Sequence, residues 1–335
     1  MKAFICGCAG AALTDEERVF IAEAAPWGLI LFKRNVVDRE QLRALTSAFR
    51  DIVGRPDAPV LIDQEGGRVQ RMAPPHWAAY AAAARFDPEL GPRALEGAKL
   101  SARLMAHDLR EVGITVDCAP VLDVADDLTH AVIGTRAYGK DPARVAELAR
   151  AVIGGLIDGG VAPVVKHVPG HGRARADSHL ELPIVGATRE ELAARDFAPF
   201  AALRDAPMAM TAHVVYTAID PERPATTSRK VVQEIVRGAI GFDGLLISDD
   251  LSMKALGGPF ADRARAVFAA GVDIALHCNG DLSEGRPVAE ATPELTGRAL
   301  ERAEAALATI AAGPKPFDVE RGRAELAGMW ATPAT

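Results

Sequence analysis

The chain has 335 residues, of which 49% are hydrophobic, 25% charged and 5% aromatic, with 30 Gly, 22 Pro and 4 Cys. That balance describes an ordered globular chain; disorder would need low hydrophobicity with high net charge, and a disulfide scaffold would need dense cysteine. The net charge is -7 with the basic residues scattered, and no window approaches the roughly 18 apolar residues of a membrane span, so nucleic-acid and membrane partners are excluded.

In chain order, Lys2 and the apolar stretch that follows loosely imitate a short signal peptide, but acidic Asp15, Glu16 and Glu17 come at once. Cys6, Cys8, Cys118 and Cys278 sit in apolar surroundings without CxxC spacing, which fits reduced cysteine in a cytoplasmic protein. Short β-type runs then alternate with amphipathic segments along nearly the whole chain. The runs are Ala3 to Cys8, Gly28 to Phe32, Val60 to Asp63, Ile114 to Ala119, Pro163 to His167, Met208 to His213, Leu245 to Asp249 and Val272 to His277. Between them, Asp38 to Ile52, Pro142 to Ile157, Arg189 to Leu203 and Pro259 to Ala270 carry apolar residues at helical spacing. Thr14 before an acidic turn and Asp141 before Pro142 are expected helix starts. Pro74 to Pro92 reads as a loop excursion, and the tail from about Pro314 as weakly structured. Eight β/α units predict an α/β fold, a single (β/α)8 TIM barrel over residues 1–335, with C-terminal helices and tail over 285–335.

Polar residues terminate the strands: Asp63, Asp123, Lys166 and His167, His213, Asp249 and Asp250, His277. Barrel enzymes build their active sites from these carboxyl ends, so one catalytic mouth is expected. Its densest part is Lys166-His167-Val168-Pro169-Gly170-His171-Gly172 followed by Asp177-Ser178-His179, three of the eight histidines within 13 residues. A zinc site on His167, His171 and His179 is disfavoured, because Pro169 and Gly170 break the helix that would align the rings and no HExxH glutamate is present. Asp249 and Asp250 end a buried strand on opposite faces, so one can attack while its neighbour orients, or either can simply cap the next turn. Asp63 to Arg71 groups carboxylates, two glycines and two arginines in the way a sugar's hydroxyls require. Gly134 to Asp141 nearly matches a phosphate loop but lacks its Ser or Thr, and no GxGxxG follows a strand, so no nucleotide or other cofactor is expected.

These motifs resemble the bacterial cytoplasmic β-N-acetylhexosaminidases of glycoside hydrolase family 3. The resemblance rests on Gly28 to Phe32, Ile62 to Arg71, Ala119 to Val124, Lys166 to Gly172, Ala176 to His179 and Ile247 to Met253, in that order. It implies Asp249 as nucleophile, His179 as general acid/base with Asp177 as its partner, and Asp63, Arg71, Arg136, Lys166 and His167 gripping the N-acetylglucosamine ring, with no metal. Val168 stands where the family pattern has an aromatic residue, and Pro74-Pro75-His76-Trp77 is unusual. The implied activity releases terminal N-acetylglucosamine (GlcNAc) from a disaccharide or muropeptide, GlcNAc linked to anhydro-N-acetylmuramic acid, in cytoplasmic cell-wall recycling. A phosphorylase that uses phosphate in place of water, and a non-catalytic sugar-binding sensor, are the alternatives. The sequence does not set the oligomeric state, and a monomer is compatible with it.

Overall fold

The computed structural model describes residues 1–178 and 180–331. Eight parallel strands close into a barrel: β1 (Lys2–Cys6), β2 (Pro26–Leu31), β3 (Val60–Ile62), β4 (Val116–Asp117), β5 (Ala162–Val168), β6 (Met208–Thr211), β7 (Leu245–Asp250) and β8 (Ile274–His277). Each pairs with its neighbours in sequence, and β8 closes on β1. All eight expected runs are strands, although the fourth shrinks to two residues. The register aligns Ile62 with Asp117, Asp117 with Pro163 and Lys166 with Met210, which brings the polar strand ends to one rim.

Strand periodicity explains the two hydrophobic layers. Ile5, Ile30, Leu61, Val164, Met208 and Ile247 fill the barrel interior, while Phe4, Leu29, Leu31, Val60, Ile62 and Leu246 face the surrounding helices. The amino-terminal end of the barrel is plugged by the helix Gly297–Ala308, whose Ala303 and Ala306 join the interior core. Arg302 fastens that plug, bonding Asp243 at 2.7 Å and Asp273 at 3.0 Å.

The helices start and stop where local chemistry directs. Thr14 and Glu17 form a reciprocal capping box before Asp15–Ala24. Asp38 caps Arg39–Val53, whose Leu42, Leu45 and Phe49 form the buried face. Asp141 caps Pro142–Asp158 as expected. Two readings are corrected. The excursion after β3 contains a helix, Ala83–Leu90, because Ala83, Phe86 and Leu90 recur at helical spacing and are buried. The tail holds another, Val319–Ala331, which is ordered by contacts distant in sequence: Met329 packs on Gly97, and Trp330 stacks edge-on against Phe86 at 5.3 Å.

The helices Ala94–Arg110 and Pro142–Asp158 pack against each other, and adjacent glycines on the second play opposite roles. A Cβ on Gly155 would lie 2.3 Å from the Lys99 carbonyl oxygen, so backbone would have to move. One on Gly154 would meet only the end of the Lys99 side chain at 3.9 Å. We expect Gly155→Ala to destabilise by about 1–3 kcal/mol through overpacking. Gly154→Ala should stabilise by about 0.5–1 kcal/mol, because glycine carries extra backbone entropy in a helix. Urea unfolding of the two variants checks the difference in sign.

Candidate active site

The carboxyl ends of the strands surround a cavity of about 270 Å³. Asp63, Arg71, Arg136, Lys166, His167 and Asp249 all line it. The barrel thus brings together six of the eight residues singled out from sequence. Asp177 precedes Ser178, which lines the same cavity, and lies within electrostatic reach of Arg68 at its rim. His179 lies outside the described residues.

One wall is a row of alternating charges. Arg71 bonds Asp63 at 2.9 Å, Asp63 accepts from Lys166 at 2.8 Å, Lys166 reaches Glu65 at 2.7 Å, and Glu65 takes a two-pronged contact from Arg136 at 2.7 and 2.8 Å. Burial acts against charge on Asp63 and Glu65, yet Lys166 with Arg71, and Lys166 with Arg136, hold the two carboxyls below their usual range. Burial likewise opposes the Lys166 cation, which Asp63 and Glu65 more than restore. Asp117, one strand over, lacks such a partner. Its Oδ1 accepts from the Gln64 backbone at 3.0 Å, its Oδ2 has no hydrogen-bond partner, and burial pushes its carboxyl well above the normal range.

The row depends on an antiparallel ribbon, Gln64–Gly66 against Val69–Gln70, that follows β3. Gln64 fixes the return strand by accepting from the Arg71 and Met72 amides at 3.0 and 3.1 Å. Gly66 is needed there: its φ is +89°, and a Cβ would come within 2.4 Å of the Ala81 carbonyl oxygen.

A second wall is formed by His167 at the end of β5 and the histidine loop that follows it. Asp123, fully buried, organises it: Oδ2 meets His167 Nδ1 at 2.7 Å, and Oδ1 accepts from the His167 and His171 amides at 3.2 and 2.7 Å. Burial opposes the Asp123 anion, but His167, with His171, brings its carboxyl down to about 2. An anionic Asp123 makes Nδ1 of His167 the protonated ring nitrogen and leaves Nε2 for the pocket. His171 is pushed down to about 4, chiefly by burial and against the pull of Asp123, so it is neutral. Its Nε2 lies 3.3 Å from Ser178 Oγ, next to the position expected to carry the acid/base.

The adjacent carboxylates of β7 separate in role. Asp250 accepts from the Ser252 amide at 2.9 Å, the Ser252 hydroxyl at 2.5 Å and the Cys278 amide at 3.0 Å, the pattern of a turn-forming aspartate. Asp249 accepts the Asp250 amide at 2.8 Å, while its own amide donates to Thr211 Oγ1 at 3.2 Å. His213 supports this corner, bonded to Thr226 at 2.8 Å and to the Asp250 carbonyl at 2.9 Å.

Sequence reasoning assigned no role to Glu65, yet Glu65 links Lys166 to Arg136. The signal was available: Asp63 and Glu65 are two apart in an extended segment, which puts both carboxylates on one face. Asp123 was visible only as a polar strand end, and its hold on two histidines needs the β4–β5 pairing to appear. Among the described residues, His107, Asp108 and Glu111 form the one group with metal-like spacing, but Tyr80 and Arg323 already engage Asp108. No described helix is long and apolar enough to cross a membrane.

Comparison with known proteins places the chain among relatives of known family. The chain is 42% identical over 296 residues to a beta-hexosaminidase of Pseudomonas aeruginosa, covering 88% of this chain and 84% of that one. It is 43% identical over 282 residues to a beta-hexosaminidase of Alkalilimnicola ehrlichii, covering 82% and 79% respectively. The crystal structure of NagZ from Neisseria gonorrhoeae in complex with N-trifluoroacetyl-D-glucosamine superposes with a TM-score of 0.84 at 33% identity, over 99% of this chain and 98% of that one. Residues 7–309 match the glycosyl hydrolase family 3 N terminal domain, and the chain belongs to that family.

Proposed function

We propose that this protein is a retaining exo-β-N-acetylglucosaminidase that removes a terminal β-linked GlcNAc by double displacement. The observation that carries the reading is one cavity, about 270 Å³, in which Asp249 shares the walls with the charged row and the histidine loop. That volume is at the small end of ligand pockets, which suits a single sugar ring. The relatives' names and the glucosamine derivative bound by the gonococcal protein support the choice of sugar.

In this mechanism Asp63 accepts from ring hydroxyls while Lys166, Arg136 and Arg71 donate to ring oxygens, and His167 offers Nε2. The Asp249 carboxylate attacks C1 as the glycosidic bond breaks, and His179 passes a proton to the departing oxygen. Water then attacks C1, His179 takes its proton, and the carbon–oxygen bond to Asp249 breaks, so configuration is retained. An imidazole near its ordinary pKa of about 6.5 can both give and accept the proton at neutral pH. Asp177 would orient that ring and favour its charged form. The cellular substrate we assign is GlcNAc linked to anhydro-N-acetylmuramic acid, with or without peptide, met in the cytoplasm during cell-wall recycling.

NMR of product formed from an aryl β-GlcNAc and from the anhydro-disaccharide should show the β-anomer first. Release that depends on added phosphate and yields sugar 1-phosphate would replace hydrolysis by phosphorolysis, and binding without release would leave a sensor. Asp249→Ala should lower the rate by at least about 1,000-fold. Asp250→Ala should retain a measurable rate but melt earlier, since its carboxylate holds Ser252 and the Cys278 amide. The reverse order of rates would reassign the nucleophile. His179→Ala should slow poor leaving groups by about 100- to 10,000-fold and activated aryl groups far less. Equal losses on both, from the same kinetic series, would remove His179 from the acid/base role.

A further inference from the structure

The C-terminal helix Val319–Ala331 lies beyond the stretch that matches the family domain, which ends at residue 309. Its contacts nevertheless lead to the sugar-gripping row by two routes. Along the first, Arg323 donates to Asp108 Oδ1 at 2.7 Å, and Asp108 Oδ2 accepts from the Tyr80 hydroxyl at 2.6 Å. Asp108 is buried, and its bond to Tyr80 is made out of water, while the charge-assisted bond from the part-exposed Arg323 closes over it. Tyr80 in turn is sewn to the ribbon that carries Asp63, Glu65 and Arg71. Its amide donates to Gln70 Oε1 at 2.9 Å, and its carbonyl accepts from the Gly67 amide at 2.9 Å.

Along the second route, Trp330 packs edge-on against Phe86 at 5.3 Å, and Phe86 meets Tyr138 at 6.4 Å. Tyr138 is two residues from Arg136, the last charge of the row. The helix therefore touches the supports on both sides of the Glu65–Arg136 pair.

We infer that Arg323 is a positioning residue for sugar binding: through Asp108 and Tyr80 it sets the ribbon that presents Asp63, Glu65 and Arg71. The inference rests on the sugar-binding role proposed above for that row. Loosening the ribbon weakens the grip on the ring in the ground state and the transition state alike, because none of these groups attacks C1 or moves the proton. The cost then falls on KM and leaves kcat.

The test uses the full chain with an aryl β-GlcNAc substrate, together with calorimetric binding of free N-acetylglucosamine. Arg323→Met should raise KM and the GlcNAc dissociation constant about tenfold, with kcat within about twofold, the pattern of lost uniform binding. Arg323→Lys, which keeps the charge, should recover most of that loss. Tyr80→Phe removes only the hydroxyl and should raise KM in the same direction, which decides the matter if Arg323→Met does not fold. Unchanged KM and GlcNAc affinity in Tyr80→Phe and in any folded Arg323→Met, whatever the melting temperature does, would overturn the inference and leave the helix a structural prop. A fall in kcat at constant KM would overturn it too. Failure of the wild-type protein to release sugar would count against the proposed activity instead, and the binding measurement would still decide the role of Arg323.

Discussion

The alternating row Arg71, Asp63, Lys166, Glu65, Arg136 constrains the rest of the mouth. A charge removed from water is costly, and breaking a buried pair strands its partner at about 3–5 kcal/mol. Lys166, 2% exposed, is tolerable only because two carboxylates reach it at once. Those carboxylates come from the end of β3 and its ribbon, the lysine from β5, and β4 lies between. The barrel register that aligns Ile62, Asp117 and Pro163 is therefore a precondition of the charge balance, and so is the ribbon turn at Gly66. With three cations and two anions the row keeps one positive charge in excess, and it presents donors and acceptors already oriented. A bound sugar would need to displace little order to use them.

Environment gives five aspartates in this end of the barrel different work. Asp63 stays ionised between two cations, and Asp123 stays ionised beneath two histidines. Asp117 accepts from a single amide, and burial raises its carboxyl well above the usual range. Asp250 spends both oxygens on the turn after β7, and Asp249 remains with the cavity. Composition alone cannot make these distinctions. They follow from which strand neighbours which, since every deciding partner other than Ser252 and the Asp250 amide arrives from another β/α unit or across the ribbon.

That separation explains what could be read from the chain beforehand. The eight strands were legible because a strand packed on both faces is a run of Val, Ile, Leu and Met, and the polar residue ending each run marked the rim. Asp63, Arg71, Lys166, His167 and Asp249 stood in motifs attached to those ends, whereas Arg136 came from the family resemblance alone. Glu65 was passed over because its importance lies in bridging two residues 101 and 71 positions away. The C-terminal helix was hidden for a related reason. Gly322 and Met329 are the residues it buries, so it carries almost no apolar stripe, and its anchors are a bond to Asp108, 215 residues distant, and the ring of Phe86. Interactions of that range leave no local period to detect.

The proposed mechanism places a proton donor on a loop, which demands that the loop be anchored on both sides, because a group even 1 Å out of place loses much of its effect. The segment after β5 meets that demand. On one side Thr129 Oγ1 donates to the Gly172 carbonyl at 2.9 Å, and Arg175 forms a two-pronged pair with Asp126 at 2.6 and 2.8 Å, tying it to the loop after β4. On the other, the Ala255 amide donates to the Ser178 carbonyl at 3.3 Å, tying it to the turn that follows Asp249. His171 joins the two, bonded through its amide to Asp123 and placed against Ser178. In the proposed mechanism the acid/base and the nucleophile must approach the same anomeric carbon. The bond from Ala255 to Ser178 couples their two loops directly, so a shift in either loop is transmitted to the other.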